Sequence, residues 1–348
     1  MRILGIESSC DETAASVVED GRILLSNVVN SQIDIHAVYG GVIPEIAARS
    51  HIEVINPVVN QALSDAHLAW DDIDAIAVTY APGLIGSLLV GTLAARTLAL
   101  LKNKPLYPIH HVEAHVYANF LNEKAPEFPM LALIVSGGHS QLALFKGHGD
   151  FSLLGQTQDD AVGEAFDKVA KIIGLPYPGG PSIAKAALEG DPYAYPFPKA
   201  KLSGAYDFSF SGVKTAVLRS VQREVGVDFT FPSHELAARL NDVQRANFAA
   251  SFQRIAVETL VDKTEKAFIE YSPKSVVIAG GVAANQELRR QLSERLPLPI
   301  DYAPMNLCTD NAAMVATLGY YYAQKKDPIS PFDLVVTPSL SMTKTAWA

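Results

Sequence analysis

One short pattern occurs twice in this chain, and the repetition constrains the fold more than any single residue does. The apolar run from Ile3 to Glu7 meets a polar turn, Ser8-Ser9-Cys10-Asp11-Glu12-Thr13, and then a second apolar run, Ala14 to Val18. Glu19-Asp20-Gly21 turns the chain into Arg22-Ile23-Leu24-Leu25, and Asp-Gly between apolar runs signals a hairpin. The same order returns later. Leu131 to Val135 is followed by Ser136-Gly137-Gly138-His139-Ser140-Gln141, by Leu142 to Phe145, by a turn through Gly147 and Gly149, and by Phe151 to Leu154. Two copies predict two related lobes, residues 1–130 and 131–300, with part of 301–348 returning to the first.

Each copy continues as alternating helix and strand. The first predicts a helix from Pro44 to about Leu63, bent at Pro57, and a strand from Ile73 to Tyr80. Ala81-Pro82-Gly83-Leu84-Ile85-Gly86-Ser87 then opens a helix to about Leu101. The second predicts a helix from Asp159 to Ile173 ended by Gly174, and a long helical region from Leu236 to about Tyr271. A strand from Ser275 to Ala279 leads through Gly280-Gly281-Val282-Ala283-Ala284-Asn285 into a helix from Gln286 to Leu296. This is α/β grammar with largely parallel sheet, and such folds bind ligands beyond the carboxyl ends of their strands. Two hairpin-led α/β lobes around a cleft resemble the actin/sugar-kinase/Hsp70-like ATPase fold, whose two first-hairpin turns clasp nucleotide phosphates. Ser136-Gly137-Gly138 suits that use, because its backbone N–H groups are free to cradle anionic oxygens. Gly280-Gly281 admits a nucleoside against the backbone. Asp11 and Glu12 repel phosphate and would act through a cation or hold a lysine.

Composition narrows the classes. No uninterrupted apolar run is long enough to span a membrane, and Glu7 comes too early for a signal peptide. Cys10 and Cys308 are the only cysteines, too few for a disulfide framework, which fits a reducing cytoplasm. The net charge is −9, and nearly all of that acidity falls in residues 1–150. A nucleic-acid partner would therefore depend on local patches such as Lys168/Lys171, Lys199/Lys201 and Arg289/Arg290, or on other proteins.

His111 and His115 stand one helical turn apart and project from one face, so their imidazoles can chelate a metal with a further ligand. The third ligand is expected in Cys308-Thr309-Asp310-Asn311. Asp310 would supply a carboxylate across the gap between lobes and leave coordination positions open for catalysis. This is not the His-Glu-x-x-His motif of metallopeptidases, because Val112 follows His111 and Glu113 is out of phase for a water-activating base.

Together the motifs resemble the tRNA N6-adenosine threonylcarbamoyltransferases, the bacterial TsaD family, over nearly the whole chain. The stretches that carry the likeness begin with Gly5-Ile6-Glu7-Ser8-Ser9-Cys10-Asp11-Glu12-Thr13, Tyr39-Gly40-Gly41-Val42-Ile43-Pro44-Glu45 and Ala81-Pro82-Gly83-Leu84. They continue through His110 to His115, Val135 to His139, Asp159 to Lys168, Tyr177 to Pro181, Asp207 to Lys214, Ala279 to Asn285 and Cys308 to Asn311. The resemblance implies transfer of a threonylcarbamoyl group from threonylcarbamoyl-AMP to N6 of adenosine 37 in tRNAs reading codons that begin with A. It implies that His111, His115 and Asp310 hold one Fe(2+), or zinc in its place, and that Mg accompanies any nucleotide. Ile134, Val135, Ser136, Gly137 and Gly138 would line the donor's phosphate and carbamoyl end. Asp167, Gly180 and Asn285 would hold its nucleoside. Asp11, Glu12 and His139 are the catalytic candidates, with Glu12 and His139 the options for a base. The implied partners are tRNA, a TsaB-like protein and a TsaE-like ATPase, with no membrane. The helical region from Pro44 to Leu63 could dock a partner helix or simply pack on its own lobe. A metallopeptidase and a carbamoyltransferase acting on a small molecule remain the rival readings.

Overall fold

The structure, a computed structural model, describes residues 1–344 and residue 346. In the first sheet β1 (Arg2–Glu7), β2 (Glu12–Glu19) and β3 (Ile23–Ser31) form an antiparallel meander. Asp20 and Gly21 turn the hairpin with φ of 52° and 65°, the left-handed pair that matches strand twist. β4 (Ala75–Ala81) runs parallel to β1, and β5 (Leu106–His110) parallel to β4. Parallel neighbours require crossovers. α1 (Ile33–Ala37) and α2 (Pro44–Asp65) supply the first and α3 (Ile85–Lys102) the second. α4 (His111–Tyr117) starts where β5 ends. The sheet order is β3-β2-β1-β4-β5.

The second sheet contains β6 (Met130–Val135), β7 (Ser140–Gly147), β8 (Asp150–Gln156), β9 (Ser275–Ala279) and β10 (Ile300–Tyr302), in the order β10-β9-β6-β7-β8. Read from its other edge, this is the same third-second-first-fourth-fifth order, so the repeated sequence pattern is a repeated topology. Its helices are α5 (Val162–Ile173), α6 (Gly179–Ala187), α7 (Ser211–Glu224), α8 (Ser233–Leu236), α9 (Asp242–Tyr271) and α10 (Gln286–Arg295). α11 (Ala312–Ala323) closes the series.

The chain forms two compact units. Unit 1 comprises Met1–Glu127, Phe145–Ser152 and everything from Tyr302 onward; unit 2 comprises Phe128–Leu144 and Leu153–Asp301. Unit 1 is cored by residues such as Leu4, Ile6, Ile55, Ile76 and Val78, and unit 2 by Leu133, Val135, Phe166, Phe248 and Phe252. α11 lies hard against the first sheet. A Cβ at Gly5 would stand 2.3 Å from the Ala312 carbonyl oxygen, and one at Gly319 would stand 2.5 Å from the Ala77 Cβ. Only glycine permits that approach, and it brings Asp310, just ahead of α11, to the ends of β1 and β5.

Several boundaries differ from expectation for identifiable reasons. α5 begins at Val162 because Asp159 is occupied elsewhere, accepting hydrogen bonds from Ser209, Phe210 and Ser211. The long helical region breaks before α9, where Asn241 and Gln244 form a reciprocal capping box. α2 runs on through Pro57 for 22 residues. α3 is long and apolar enough to cross a membrane by length and composition, although small and polar residues interrupt its sequence. One face of it, including Leu88, Gly91, Ala95 and Ala99, is buried in unit 1. Ile85, Leu89, Leu93 and Leu100 are exposed on the other.

Candidate metal centre

The parallel strands of the first sheet end in polar residues. β1 ends in Glu7, β4 carries Thr79, and β5 hands the chain to His111. These side chains are buried together. On α4 the one-turn spacing puts both imidazoles on one face. The two Nε2 atoms of His111 and His115 lie 3.2 Å apart. The Asp310 Oδ1 is 3.1 Å from His115 Nε2 and 3.6 Å from His111 Nε2. An ion bonded at about 2.1 Å holds neighbouring ligand atoms roughly 3.0–3.4 Å apart, from octahedral to tetrahedral geometry. Two of the three spacings fall in that range and the third, 3.6 Å, lies just beyond it, so the cluster could hold a divalent metal with a small adjustment of Asp310 against His111. The histidine side chains are 8% and 1% exposed and that of Asp310 19%, so the cluster is reached from the aspartate's side. All three belong to unit 1. The expectation of a chelate spanning two lobes is corrected: the chain returns to unit 1 before it reaches Asp310.

Sequence reasoning missed the group behind the ligands. Glu7 Oε2 lies 3.2 Å from His111 Nδ1 and accepts a 2.6 Å hydrogen bond from Thr79 Oγ1, while Glu7 Oε1 accepts from the Ser9 N–H at 2.5 Å. Ser9 Oγ is 3.1 Å from the same His111 nitrogen. A carboxylate on Nδ1 fixes the tautomer that leaves Nε2 free for a metal. An acid closing an apolar strand was the available signal. Burial opposes the charged form of His111, but Asp310 and Glu7 outweigh it and raise its imidazole to about 9. Burial likewise opposes ionisation of Glu7, and the charge of His111 wins, holding that carboxyl below its ordinary value. The cluster thus draws positive charge.

Asp11 and Glu12 are also in unit 1. Burial, then the charges of Asp310 and Asp11, push Glu12 up to about 10. Glu113 does not join the ligands. Its Oε2 accepts a 2.6 Å hydrogen bond from the Tyr322 hydroxyl on α11, which leaves the metallopeptidase reading without its base.

The remaining predicted residues lie in unit 2. Ile134 and Val135 end β6 and are buried. The turn after them is closed by the Ser136 N–H donating to the His139 carbonyl at 2.8 Å and the His139 N–H donating to Ser136 Oγ at 3.2 Å. A Cβ at Gly137 or Gly138 would meet nothing within 4 Å, so that backbone faces open space. Close contacts gather the other elements here. Gly163 of α5 abuts Ser136 and Gly137, Gly280 abuts Val135, and Gly179 abuts Asp167. Asp167 Oδ1 accepts from the Gly179 N–H at 2.6 Å. Gly180 has open space beside its Cα. Asn285 is already committed: Oδ1 caps α10 at Leu288 N and Nδ2 donates to Gln253 Oε1. The basic pairs fare worse than expected. Lys168, Lys199 and Arg290 each bind two carboxylates of unit 2.

Fold and site define an α/β protein of duplicated, hairpin-led sheets with a two-histidine, one-carboxylate cluster at its strand ends. Solved structures support the fold. HypF of T. kodakarensis matches with a TM-score of 0.64 at 12% identity, covering 93% of this chain and 48% of that one. Component A of the Acidaminococcus fermentans (R)-2-hydroxyglutaryl-CoA dehydratase matches at 0.52 and 16% identity, covering 93% and 100%. The family model described as tRNA N6-adenosine threonylcarbamoyltransferase matches residues 23–317. Proteins of that name are 54% identical in Symbiobacterium thermophilum, over 92% of this chain and 91% of theirs, and 51% identical in Dehalococcoides mccartyi, over 99% and 100%. The chain belongs to the tRNA N6-adenosine threonylcarbamoyltransferase family.

Proposed function

We propose that this protein transfers the threonylcarbamoyl group from L-threonylcarbamoyl-AMP to N6 of adenosine 37 in tRNAs reading ANN codons. The observation that carries the reading is the convergence of His111, His115 and Asp310 in a chain of this family. The donor is a mixed anhydride with AMP as leaving group, whereas the adenine amine is a weak nucleophile because its lone pair is delocalised. Catalysis then rests on positioning and on a place for displaced charge. His111, His115 and Asp310 hold one Fe(2+), with zinc the alternative. When bound, the ion offers open positions to ligand oxygens and offsets developing negative charge. Ile134 to Gly138 receive the donor's phosphate and carbamoyl end, where the outward-facing Gly137 and Gly138 backbone forms an anion nest. Asp167, Gly180 and Asn285 form the nucleoside end, with one Asn285 amide hydrogen still to give. Asp11 and Glu12, in the same unit as the ligands, and His139, which closes the turn of the nest, are the catalytic candidates; Mg accompanies any bound nucleotide.

The working lobes are residues 1–130 with part of 301–348, and 131–300. The protein acts in the cytoplasm, away from membrane, with a TsaB-like partner and a TsaE-like ATPase. The exposed α3 stripe of Ile85, Leu89 and Leu93 suits the TsaB-like partner. The test is to incubate purified protein and partners with threonylcarbamoyl-AMP and unmodified tRNA and to analyse nucleosides. Modified adenosine is expected with the wild type and none with His111→Ala, His115→Ala or Asp310→Asn. Full modification by all three variants would refute the metal role.

A further inference from the structure

One cation of each pair that sequence inspection offered to an RNA, Lys168, Lys199 and Arg290, is neutralised inside unit 2, which raises the question of where else unpaired guanidinium groups gather. They gather along α7. A groove of about 370 Å³ there is lined by Tyr195, Phe197, Arg219, Ser220, Arg223 and Glu224. Arg219 and Arg223 stand one helical turn apart, exposed, and neither is in an ion pair among the described residues. Arg219 is aimed instead by neutral acceptors, Gln222 Oε1 at 2.9 Å and the Phe229 carbonyl at 3.3 Å. The groove's carboxylate, Glu224, takes its hydrogen bonds from Gln244 Nε2 at 2.8 Å and from the Tyr195 hydroxyl rather than from either arginine, so two guanidinium groups face one carboxylate there.

Aromatic rings accompany these cations. The Arg219 guanidinium lies 5.7 Å from the ring of Phe229, which is 72% exposed, and that of Arg239 lies 4.5 Å from Phe231. Tyr193, 74% exposed, stands 4.8 Å from the Arg254 guanidinium. Arg254 is itself paired with Glu258 at 3.1 Å, whereas Arg219, Arg223 and Arg239 stand outside the ion pairs among the described residues. Such planar cations beside exposed ring faces match the two parts of an unpaired nucleotide: phosphate for the guanidinium fork, base for the ring.

We propose that this α7 groove is a contact surface for the single-stranded loop region of the tRNA, with Arg219 and Arg223 on phosphates and Phe229 stacked on a base. The identity of the RNA rests on the transferase reading above; the chemistry of the groove does not. A chain of net charge −9 needs such a local site to hold a polyanion.

The experiment is fluorescence anisotropy of full-length protein with unmodified tRNA across a salt series, without donor. Arg219→Ala/Arg223→Ala should weaken binding on the order of tenfold or more and lower the log Kd against log salt slope by about 2. Arg219→Lys/Arg223→Lys should keep the slope and lose part of the affinity, because lysine lacks the planar fork. Phe229→Ala should weaken binding roughly fivefold or more with the slope unchanged. Metal content and thermal midpoint, read on the same preparations, should match wild type. Unchanged affinity and slope in the double alanine variant would overturn the proposal. So would tRNA binding that persists while a protein partner is lost, since the surface would then belong to that partner. Because RNA binding is read without donor, its failure leaves the transfer reading standing. Absence of transfer by a wild type that binds RNA through these arginines would fail the transfer reading alone.

Discussion

Glu7 holds His111 from behind: its Oε2 lies 3.2 Å from the Nδ1 of an imidazole whose Nε2 faces Asp310. Carboxylates in this position orient a metal-binding histidine and raise its basicity, and their loss typically lowers metal affinity roughly 10- to 100-fold. Glu7→Gln keeps the shape and removes the charge. We expect a loss in that range, measured by chelator competition with Fe(2+) or Zn(2+). Affinity equal to wild type would show that Ser9, whose Oγ is 3.1 Å from the same nitrogen, positions the ring without it.

The approach of α11 to β1 makes a second prediction. A methyl at Gly5 would stand 2.3 Å from the Ala312 carbonyl oxygen and 2.8 Å from the Ala316 nitrogen. Backbone cannot yield as a side-chain tip does, so Gly5→Ala should cost about 1–3 kcal/mol in denaturant unfolding. It should also weaken metal binding, because Asp310 directly precedes the displaced helix. Stability lost with metal affinity intact would mean that Asp310 is positioned independently of α11.

Acid sensitivity follows from His148. Burial, then the charge of Lys325, depress its imidazole from 6.5 to about 4 in the folded chain. The unfolded chain therefore takes up the proton first as pH falls. The stabilisation is present above about 6.5 and is lost progressively down through about 4. Burial pushes Glu113 up to about 7, and it works in the opposite direction over part of that window. The informative quantity is thus the difference between wild type and His148→Asn. Their unfolding midpoints, measured without metal by circular dichroism, should converge as pH falls from about 7 to 5. A constant gap would place His148 outside the linkage.

How much of this was readable beforehand differs by element. The hairpins were, because alternation and Asp20-Gly21 are local signals. The juxtaposition of His111 and His115 was, because helical spacing is fixed. α11 was not: its residues from Ala312 to Gly319 are buried on every side, so it has no amphipathic period to detect. Glu7 was legible only as an oddity, an acid closing an apolar strand, since its partners Thr79 and His111 are distant in sequence. The neutralisation of Lys168, Lys199 and Arg290 was hidden in part because Lys199 pairs with residues some sixty positions away, Glu258 and Asp262.

Two glycines near the second sheet separate folding from binding. Gly138 has nothing within 4 Å of an added Cβ, whereas a Cβ on Gly163 would lie 2.5 Å from the Ser136 carbonyl oxygen. Gly138→Ala should leave stability within about 0.5 kcal/mol of wild type and weaken the donor, since the methyl would occupy the space the phosphate needs. Gly163→Ala should lower both. Calorimetric titration with a non-hydrolysable adenylate analogue checks this, and equal donor affinity in Gly138→Ala would remove the turn from the donor site.

The outer face of α3 yields the last prediction. Leu89 and Leu93 are 50% and 63% exposed, whereas Leu88 and Ala95 are fully buried. A charge at the first two positions meets water in the isolated chain and costs little, while a partner helix seated there would have to desolvate it. Leu89→Glu/Leu93→Glu should therefore unfold within about 0.5 kcal/mol of wild type. It should retain its metal, yet fail to co-elute with a TsaB-like partner in size-exclusion chromatography. If the variant still co-elutes, the docking face lies elsewhere and the stripe is plain surface. If it unfolds, α3 is more deeply packed than its exposed leucines indicate.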